Sequence, residues 1–284
     1  MIISVASGKG GTGKTTVAVN LALSLDRVQF LDCDVEEPNA HIFLKPVIRE
    51  QEKAYIPVPE IDESKCLYCG RCAAVCAYRA IAVLPPQEDR KGSSLIFSHL
   101  CHGCGACSAL CPEGAIKEVP RDIGVVETGH CGDMEFVHGR LKIGEAMAPP
   151  LIRQVKKHVD PVRTVIIDAP PGTSCPVVAS VKDSDFCILV TEPTPFGLHD
   201  LKLAVETIRV LGIPFGVVVN RADLGDKNTD AYCQQEHIPV FLRIPFKKEI
   251  AVAYSRGEPM VKAFPRAKKD FQELFREADR RHQR

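Results

Sequence analysis

The chain has 284 residues, of which 45% are hydrophobic, so it is long enough to bury one large core and to form one or two domains. Its 36 basic and 36 acidic residues cancel, which argues against nucleic acid as the partner. No apolar run approaches the roughly 18 residues of a membrane-spanning helix, and we expect no signal peptide and no stable membrane anchoring, hence a cytoplasmic protein.

The first 34 residues predict a strand, a helix and a second strand. An apolar run from Ile2 to Ala6 enters a glycine-rich turn, a helix is expected from about Lys14 to Leu25, and a second apolar run ends in "VQFLDCD". This βαβ order is typical of a parallel sheet.

The turn between these elements carries a phosphate-binding motif. "GKGGTGKT" at residues 8–15 fits G-x-x-x-x-G-K-[ST], with a strand before it and a helix after it. The glycines let backbone N–H groups face phosphate oxygens at a helix N-terminus. Lys14 is expected to neutralise the β- and γ-phosphates, and the Thr15 hydroxyl to hold Mg²⁺. The predicted nucleotide contacts here are Gly8, Lys9, Gly10, Gly11, Thr12, Gly13, Lys14, Thr15 and Thr16.

Acidic residues end two of the predicted strands, in "LDCD" and "IIDAPPG". Open α/β sheets bind ligands at this edge. Asp32 or Asp34 is expected to orient the attacking water, and Asp32 and Asp168 are expected to join Thr15 at Mg²⁺, directly or through water. The alternative for any single aspartate is a helix cap or a turn.

A different pattern occupies residues 57–121, where short segments rich in Cys, Gly and Pro replace the alternation of strands and helices. "CLYCGRCAAVCAYRAI" at 66–81 repeats as "CHGCGACSALCPEGAI" at 101–116. We therefore predict an inserted, duplicated domain at 57–121 within a discontinuous domain formed by residues 1–56 and 122–284.

The α/β pattern returns after residue 140. "TVIIDAPPG", "DFCILVTEP" and "IPFGVVVNRAD" are typical of buried strands, and "HDLKLAVETIRVLG" of a helix between two of them. The final segment predicts an amphipathic helix that packs on the core through Phe271, Leu274, Phe275 and Ala278.

Taken together, Lys9 before "GGTGKTT", then "DCDVEEPN" and "DAPPGT", resemble the deviant Walker A ATPases of the MinD/ParA/Mrp type. The resemblance implies ATP or ADP as ligand, a homodimer that sandwiches the nucleotides, and a Lys9 that contacts the partner's phosphates. It also implies that Asp34 lies near the attacking water, that Asp168 begins the second nucleotide-sensing segment, and that Asn220 contacts adenine. The segment 244–261, which includes Pro245, resembles the closing segment of the family, which lines the base pocket.

The cysteines of the insert follow C-x₂-C-x₂-C-x₃-C twice, the spacing of two-cluster bacterial ferredoxins, in which the fourth Cys of each run ligates the other cluster. This predicts two 4Fe-4S clusters, and the alternatives are zinc or disulfides. One departure is that Ala77 follows the fourth Cys of the first run, where Pro112 follows that of the second. The predicted ligand sets are Cys66, Cys69, Cys72 and Cys111 for one cluster, and Cys101, Cys104, Cys107 and Cys76 for the other.

Five cysteines lie outside these runs. Cys33 and Cys187 are expected in the core, and Cys233 indicates nothing further. Cys175 lies seven residues after Asp168, where the nitrogenase iron protein holds a cluster shared between subunits, and Cys131 is the candidate second ligand. The alternative is a plain thiol or structural role for both.

The sequence thus predicts an α/β P-loop NTPase with a doubly wound, mostly parallel sheet and an inserted ferredoxin-like α+β domain. We expect an ATPase whose Mg²⁺-dependent nucleotide cycle is coupled to electron transfer, serving an unidentified redox or metal-cofactor protein. The rival hypotheses are an Mrp-type carrier for iron-sulfur cluster assembly, and a spatial regulator of the MinD or ParA kind.

Overall fold

A computed structural model describes residues 1–283, which form two compact units. The first unit contains residues 1–52, 126–140 and the chain from 152 onward. The second contains residues 53–125 and 141–151, and so includes both cysteine repeats. Residues 141–151 were not part of the predicted insert, whose bounds of 57–121 stay a prediction.

Within residues 1–283 the structure has eleven strands, of which β4 and β5 form a separate hairpin and the others one sheet. The order across the larger sheet is β11-β10-β9-β1-β8-β2-β7-β6-β3. The strands are β1 (Ile2–Ser7), β2 (Val28–Asp32), β3 (Val47–Ile61), β4 (Ile81–Leu84), β5 (Ser93–Ile96), β6 (Ile116–Cys131), β7 (Met134–Leu141), β8 (Thr164–Pro171), β9 (Phe186–Thr191), β10 (Phe215–Asn220) and β11 (Val240–Ile244).

Most of the described helices lie between two strands, and three of them, α9 to α11, follow β11. One short 3₁₀ turn, Ser98–Leu100, is also present. The helices are α1 (Lys14–Leu23), α2 (Ala40–Leu44), α3 (Arg71–Val75), α4 (Ala106–Ala109), α5 (Ala148–Lys156), α6 (Cys175–Val181), α7 (Pro195–Val210), α8 (Asn228–Gln235), α9 (Lys248–Ser255), α10 (Met260–Ala263) and α11 (Ala267–His282).

The central strands are parallel and buried on both faces, as their continuous apolar runs predict. In β9, Phe186, Ile188 and Val190 belong to one hydrophobic cluster, whereas Cys187 and Leu189 belong to a cluster on the opposite face. This alternation places helices on both sides of the sheet. The predicted α/β P-loop fold with a mostly parallel sheet is therefore confirmed.

The last helix, α11, packs on the same cluster as α1. Phe271, Leu274 and Ala278 have no solvent exposure, and Leu21 of α1 lies in the same apolar cluster. The predicted stripe thus faces the core. Among residues 1–283, no helix is both long and apolar enough to cross a membrane.

Two long strands, β3 and β6, were not predicted. β3 has 15 residues and β6 has 16, and both carry charged side chains along much of their length. Such mixed sequences lack the clear period of two that marks a half-buried strand.

The second unit repeats its backbone as well as its sequence. Helices α3 and α4 begin at equivalent positions of the two cysteine runs, at Arg71 and Ala106. Strands β4 and β5 pair antiparallel, with Ile81 opposite Ile96.

Candidate nucleotide site and cysteine clusters

The phosphate-binding loop lies between β1 and α1 and is packed too closely for side chains at two of its glycines. A Cβ at Gly8 would lie 2.1 Å from the carbonyl oxygen of Asp200, and one at Gly13 would lie 2.3 Å from Asn220 Nδ2. Gly13 also has φ of 91°, a left-handed conformation that favours glycine. The loop is therefore closely packed up to Lys14, where α1 begins. The N-terminus of α1 faces a cavity.

A cavity of about 460 Å³ opens over this loop. Its volume falls within the range that is typical of small-molecule sites. Gly8, Thr12, Asp32 and Asp168, also predicted, lie outside the lining of this cavity. The predicted residues that line it are Lys9, Gly10, Gly11, Gly13, Lys14, Thr15, Thr16, Asp34, Asn220 and Pro245.

The Lys14 ammonium group joins two of the predicted carboxylates. Its Nζ lies 3.0 Å from Asp168 Oδ1 and 3.4 Å from Asp34 Oδ2, and its side chain is only 8% exposed. Burial lowers the pKa of Lys14, but the two neighbouring carboxylates outweigh burial, so that the net pKa is raised. Lys14 is therefore charged, and it balances part of the negative charge of Asp34 and Asp168.

Burial also affects the carboxyl groups of Asp34 and Asp32. Burial raises the pKa of Asp34 to about 6, against the opposing effect of Lys14. Asp32 is completely buried, and burial together with the charge of Asp168 raises its pKa well above the ordinary value. Its oxygens accept hydrogen bonds from the backbone N–H groups of Asp34 and Ala40, both at 3.1 Å. Asp32 thus fixes the segment that carries Asp34.

The donor atoms at this edge fit a magnesium ion. Asp168 Oδ2 is buried and has no hydrogen-bond partner among the described residues, and Thr15 lines the cavity beside Lys14. Carboxylate and hydroxyl oxygens are the ligands that Mg²⁺ prefers. The residues present therefore fit the predicted ion, with Asp32 supporting the site through backbone contacts.

Asn220 connects β10 to the loop. Its Nδ2 donates to the Thr12 carbonyl at 2.8 Å, and its Oδ1 accepts from the Arg221 N–H at 3.0 Å. The side chain also lines the cavity. It therefore braces the phosphate loop, and its contact with adenine stays a prediction.

Lys9 is directed at its own subunit in this structure. Its Nζ lies 3.8 Å from Glu192 Oε2, and Glu192 Oε1 lies 2.5 Å from Arg221 Nη1. Neither Glu192 nor Arg221 was predicted from the sequence. The one sequence feature that could have indicated them is their position, because Glu192 follows β9 and Arg221 follows β10 at the ligand-binding edge of the sheet.

The far end of the cavity is formed by residues after β11. Pro245 was predicted there from the family resemblance, but the aromatic Phe246 and Tyr254 were not singled out. Tyr254 is 47% exposed and packs against Phe43, with ring centroids 4.9 Å apart. An exposed aromatic face at this position suits a planar base.

In the second unit, the eight paired cysteines line two small cavities in crossed sets. Three cysteines of one run meet the fourth cysteine of the other run in each cavity. One cavity is lined by Cys66, Cys69, Cys72 and Cys111, and the other by Cys101, Cys104, Cys107 and Cys76.

Backbone N–H groups donate to sulfur at equivalent positions of the two runs. Tyr68 N–H donates to Cys66 Sγ and Gly103 N–H to Cys101 Sγ, both at 3.4 Å. The N–H groups of Ala80 and Ala115 donate to the fourth cysteines, Cys76 and Cys111, both at 3.3 Å. Hydrogen bonds of this kind stabilise thiolate ligands and tune cluster potentials.

The cysteine sets suit one kind of group by their number and arrangement. Among residues 1–283, no group of three or more His, Cys, Asp or Glu side chains is placed to hold a single metal ion. Four thiolates around a cavity fit a larger, multi-iron group, and the crossed arrangement fits the two-cluster ferredoxin pattern.

The remaining cysteines differ in exposure. Cys33, Cys187 and Cys233 are buried, whereas Cys175 is exposed at the start of α6. Cys131 is half-buried, and its Sγ donates to the Leu44 carbonyl at 2.9 Å. The interfacial site suggested for Cys175 and Cys131 stays a hypothesis.

Comparison with known families gives one match that spans most of the chain. The profile of the family described as "CobQ/CobB/MinD/ParA nucleotide binding domain" matches residues 3–260.

Individual relatives agree with this match. A protein of Methanocaldococcus jannaschii, named as uncharacterized, is 31% identical over 88% of this chain and 86% of its own length. An iron-sulfur cluster carrier protein of Pyrococcus horikoshii is 26% identical over 91% of this chain and 78% of its own length. Among solved structures, the septum site-determining protein MinD of Pyrococcus horikoshii, complexed with Mg-ADP, has a TM-score of 0.59 at 20% identity, covering 98% of this chain and 96% of that one.

Proposed function

Because the chain belongs to the CobQ/CobB/MinD/ParA nucleotide-binding family, we propose that it is an ATP-hydrolysing homodimer whose nucleotide cycle is coupled to electron transfer through two 4Fe-4S clusters. The family and the MinD-like fold support the ATPase part. One observation supports the redox part: the eight cysteines line two cavities in crossed sets of four.

The nucleotide chemistry follows from the ion pairs of Lys14. Phosphate oxygens offer its ammonium group a new anionic partner, which releases Asp34 and Asp168 from their present contacts. Asp34 is then free to orient the attacking water. Thr15 and Asp168 would hold Mg²⁺, which neutralises phosphate charge when bound. In this proposal Lys9 supplies further positive charge to the partner's nucleotide, as an arginine finger in trans does.

In the second unit, the eight thiolates would hold the clusters, which act as one-electron carriers when bound. Complete four-cysteine ligation favours retention of a cluster over its release. The four N–H···S contacts stabilise the thiolate form of the ligands. The electron acceptor in this proposal is a redox or metal-cofactor protein.

The test is anaerobic purification, iron quantitation and EPR, followed by reduction kinetics with ADP and with ATP. Two cubanes give about 8 Fe per chain, and a further cubane shared between two subunits gives about 10. We expect a 4Fe-4S signal whose oxidation by an acceptor is faster with ATP. Iron near zero, or identical kinetics with both nucleotides, contradicts the coupling.

A second candidate function is cluster delivery, since one relative is named as an iron-sulfur cluster carrier protein. Mrp-type carriers are expected to use a C-terminal C-x-x-C pair, and the sequence after Asp168 contains no such pair. Transfer of radiolabelled iron from the loaded protein to an apo-acceptor separates the two functions. Efficient transfer with the protein still folded would favour delivery.

A further inference from the structure

The carboxylate of Glu192 lies between two cations of its own chain. Each oxygen has one partner: Arg221 Nη1 at 2.5 Å from Oε1, and Lys9 Nζ at 3.8 Å from Oε2. The Glu192 side chain is only 9% exposed, whereas Lys9 is 31% exposed. A nearly buried carboxylate is therefore paired with Lys9, the residue that in the proposed function contacts the nucleotide of the other subunit.

The backbone of Glu192 is fixed. Its carbonyl accepts the N–H of Thr194 at 2.8 Å, and a Cβ at Gly197 would lie 2.3 Å from the same oxygen. The neighbouring Pro193 carbonyl accepts the N–H of Asp226 at 3.2 Å. The backbone that carries the acid is thus fixed and its side chain is nearly buried, while Lys9 is a point charge on a longer, more exposed and flexible stem. Of the two, Lys9 is the group with more freedom to move.

Arg221 is fixed as well. Its φ of 52° is left-handed, which is uncommon for a residue with a side chain. The Asn220 amide connects it to the phosphate loop, by accepting the Arg221 N–H and donating to Thr12. Arg221 has the closer contact with Glu192, and it reduces the negative charge that Lys9 experiences.

We propose that Glu192 is a positioning residue that retains Lys9 within the separate subunit and must release it before the ATP-bound dimer forms, with Arg221 weakening this retention. The inference rests on the proposed function, in which Lys9 leaves its contact with Glu192 to reach the partner's phosphates. Its consequence is that the two neighbours of Lys9 have opposite effects on dimer formation.

Two substitutions test this. Glu192→Gln removes the charge that holds Lys9, so the ATP-bound dimer should form at a protein concentration about two- to fivefold lower than in the wild type, as expected for loss of a partly exposed ion pair. Arg221→Gln leaves Lys9 as the one cation beside Glu192, so the protein concentration at the midpoint of dimer formation should rise by a similar factor. The measurement is sedimentation velocity against protein concentration, with saturating non-hydrolysable ATP analogue and Mg²⁺, on iron-loaded protein.

A double-mutant cycle separates positioning from damage to the fold. In a Lys9→Ala background, Glu192→Gln should no longer shift the midpoint, because the group it retains is absent. Calorimetric nucleotide affinity of each variant checks that the analogue stays saturating. A misfolded loop would weaken dimerisation in both single variants.

The outcomes distinguish the inference from its premise. If the wild type forms no ATP-dependent dimer, the proposed function is wrong and the inference falls with it. If the wild-type dimer forms but Glu192→Gln leaves its midpoint unchanged or raises it, or if the shift persists without Lys9, the inference alone is overturned.

Discussion

Replacement of Asp34 by Asn should stabilise the nucleotide-free protein in a pH-dependent way. The Asp34 side chain is 15% exposed, and burial raises its pKa from the ordinary 3.8 to about 6 despite the adjacent Lys14. Each pKa unit corresponds to about 1.4 kcal/mol, so keeping Asp34 ionised at neutral pH costs the folded state about 3 kcal/mol. Asn has nearly the same shape and no charge to desolvate.

The sign follows from proton binding. Since the folded pKa lies above the unfolded one, the stability contributed by Asp34 is fully present below pH 3.8 and is lost as the pH rises through about 6. The advantage of Asp34→Asn should therefore be about 3 kcal/mol at pH 7.5 and about half of that at pH 5. At roughly 2–4 °C per kcal/mol, the larger value corresponds to roughly 6–12 °C in the unfolding temperature.

Anaerobic differential scanning calorimetry of wild type and variant, without nucleotide, at pH 5 and pH 7.5 measures this difference. Glu36→Gln is the matched control, because it removes an exposed carboxylate two residues away and should change the unfolding temperature little at either pH. ATP turnover of Asp34→Asn should be lost. An unfolding-temperature gain that is equal at both pH values, or larger at pH 5, refutes the reasoning.

Three further predictions concern the two sites. Lys9→Ala should lower ATP turnover by about 10³-fold with iron content unchanged; loss of iron as well would indicate a folding role. Cys66→Ser should lower the iron content from about 8 to about 4 Fe per chain. Adding Cys111→Ser to this variant should remove no more iron, whereas adding Cys76→Ser should empty the second site. Iron contents and EPR signals that group the cysteines by sequence run instead would contradict crossed ligation. Tyr254→Ala should weaken ATP binding by roughly 2- to 10-fold in calorimetry, and a smaller loss for Tyr254→Phe is the control that identifies ring contact.

Sequence reasoning predicted the strands that are buried on both faces, because such strands are continuous apolar runs. "TVIIDAPPG" and "DFCILVTEP" carry this pattern, and they form the centre of the sheet as β8 and β9. Strands β3 and β6 could not be read in this way, since charged residues interrupt them and Pro120 lies inside β6. Their pairing depends on neighbouring strands that are distant in sequence.

The residues of the candidate nucleotide site likewise differ in how well the sequence predicts them. Lys14, Asp34 and Asp168 could be predicted because each occupies a defined place in a motif or at the end of a strand. Glu192 and Arg221 have no motif of their own, and they meet only because β9 and β10 are neighbours in the sheet. The crossed cysteine sets that line the two cavities were predictable because the spacing of the cysteines along the chain is itself the signal.

The charges around Lys14 link nucleotide binding to magnesium. Without nucleotide, one ammonium group faces Asp34 and Asp168, with Asp32 buried behind them. If phosphate takes Lys14 without bringing a cation, three acids and the phosphates are left close together in a buried site, which is strongly unfavourable. A divalent ion held by Asp168, whose Oδ2 has no partner among the described residues, would replace the lost charge of Lys14. We therefore expect ATP to bind this site as its magnesium complex, in which Asp168 would help to hold Mg²⁺ and Asp34, no longer paired with Lys14, would be available to orient the water.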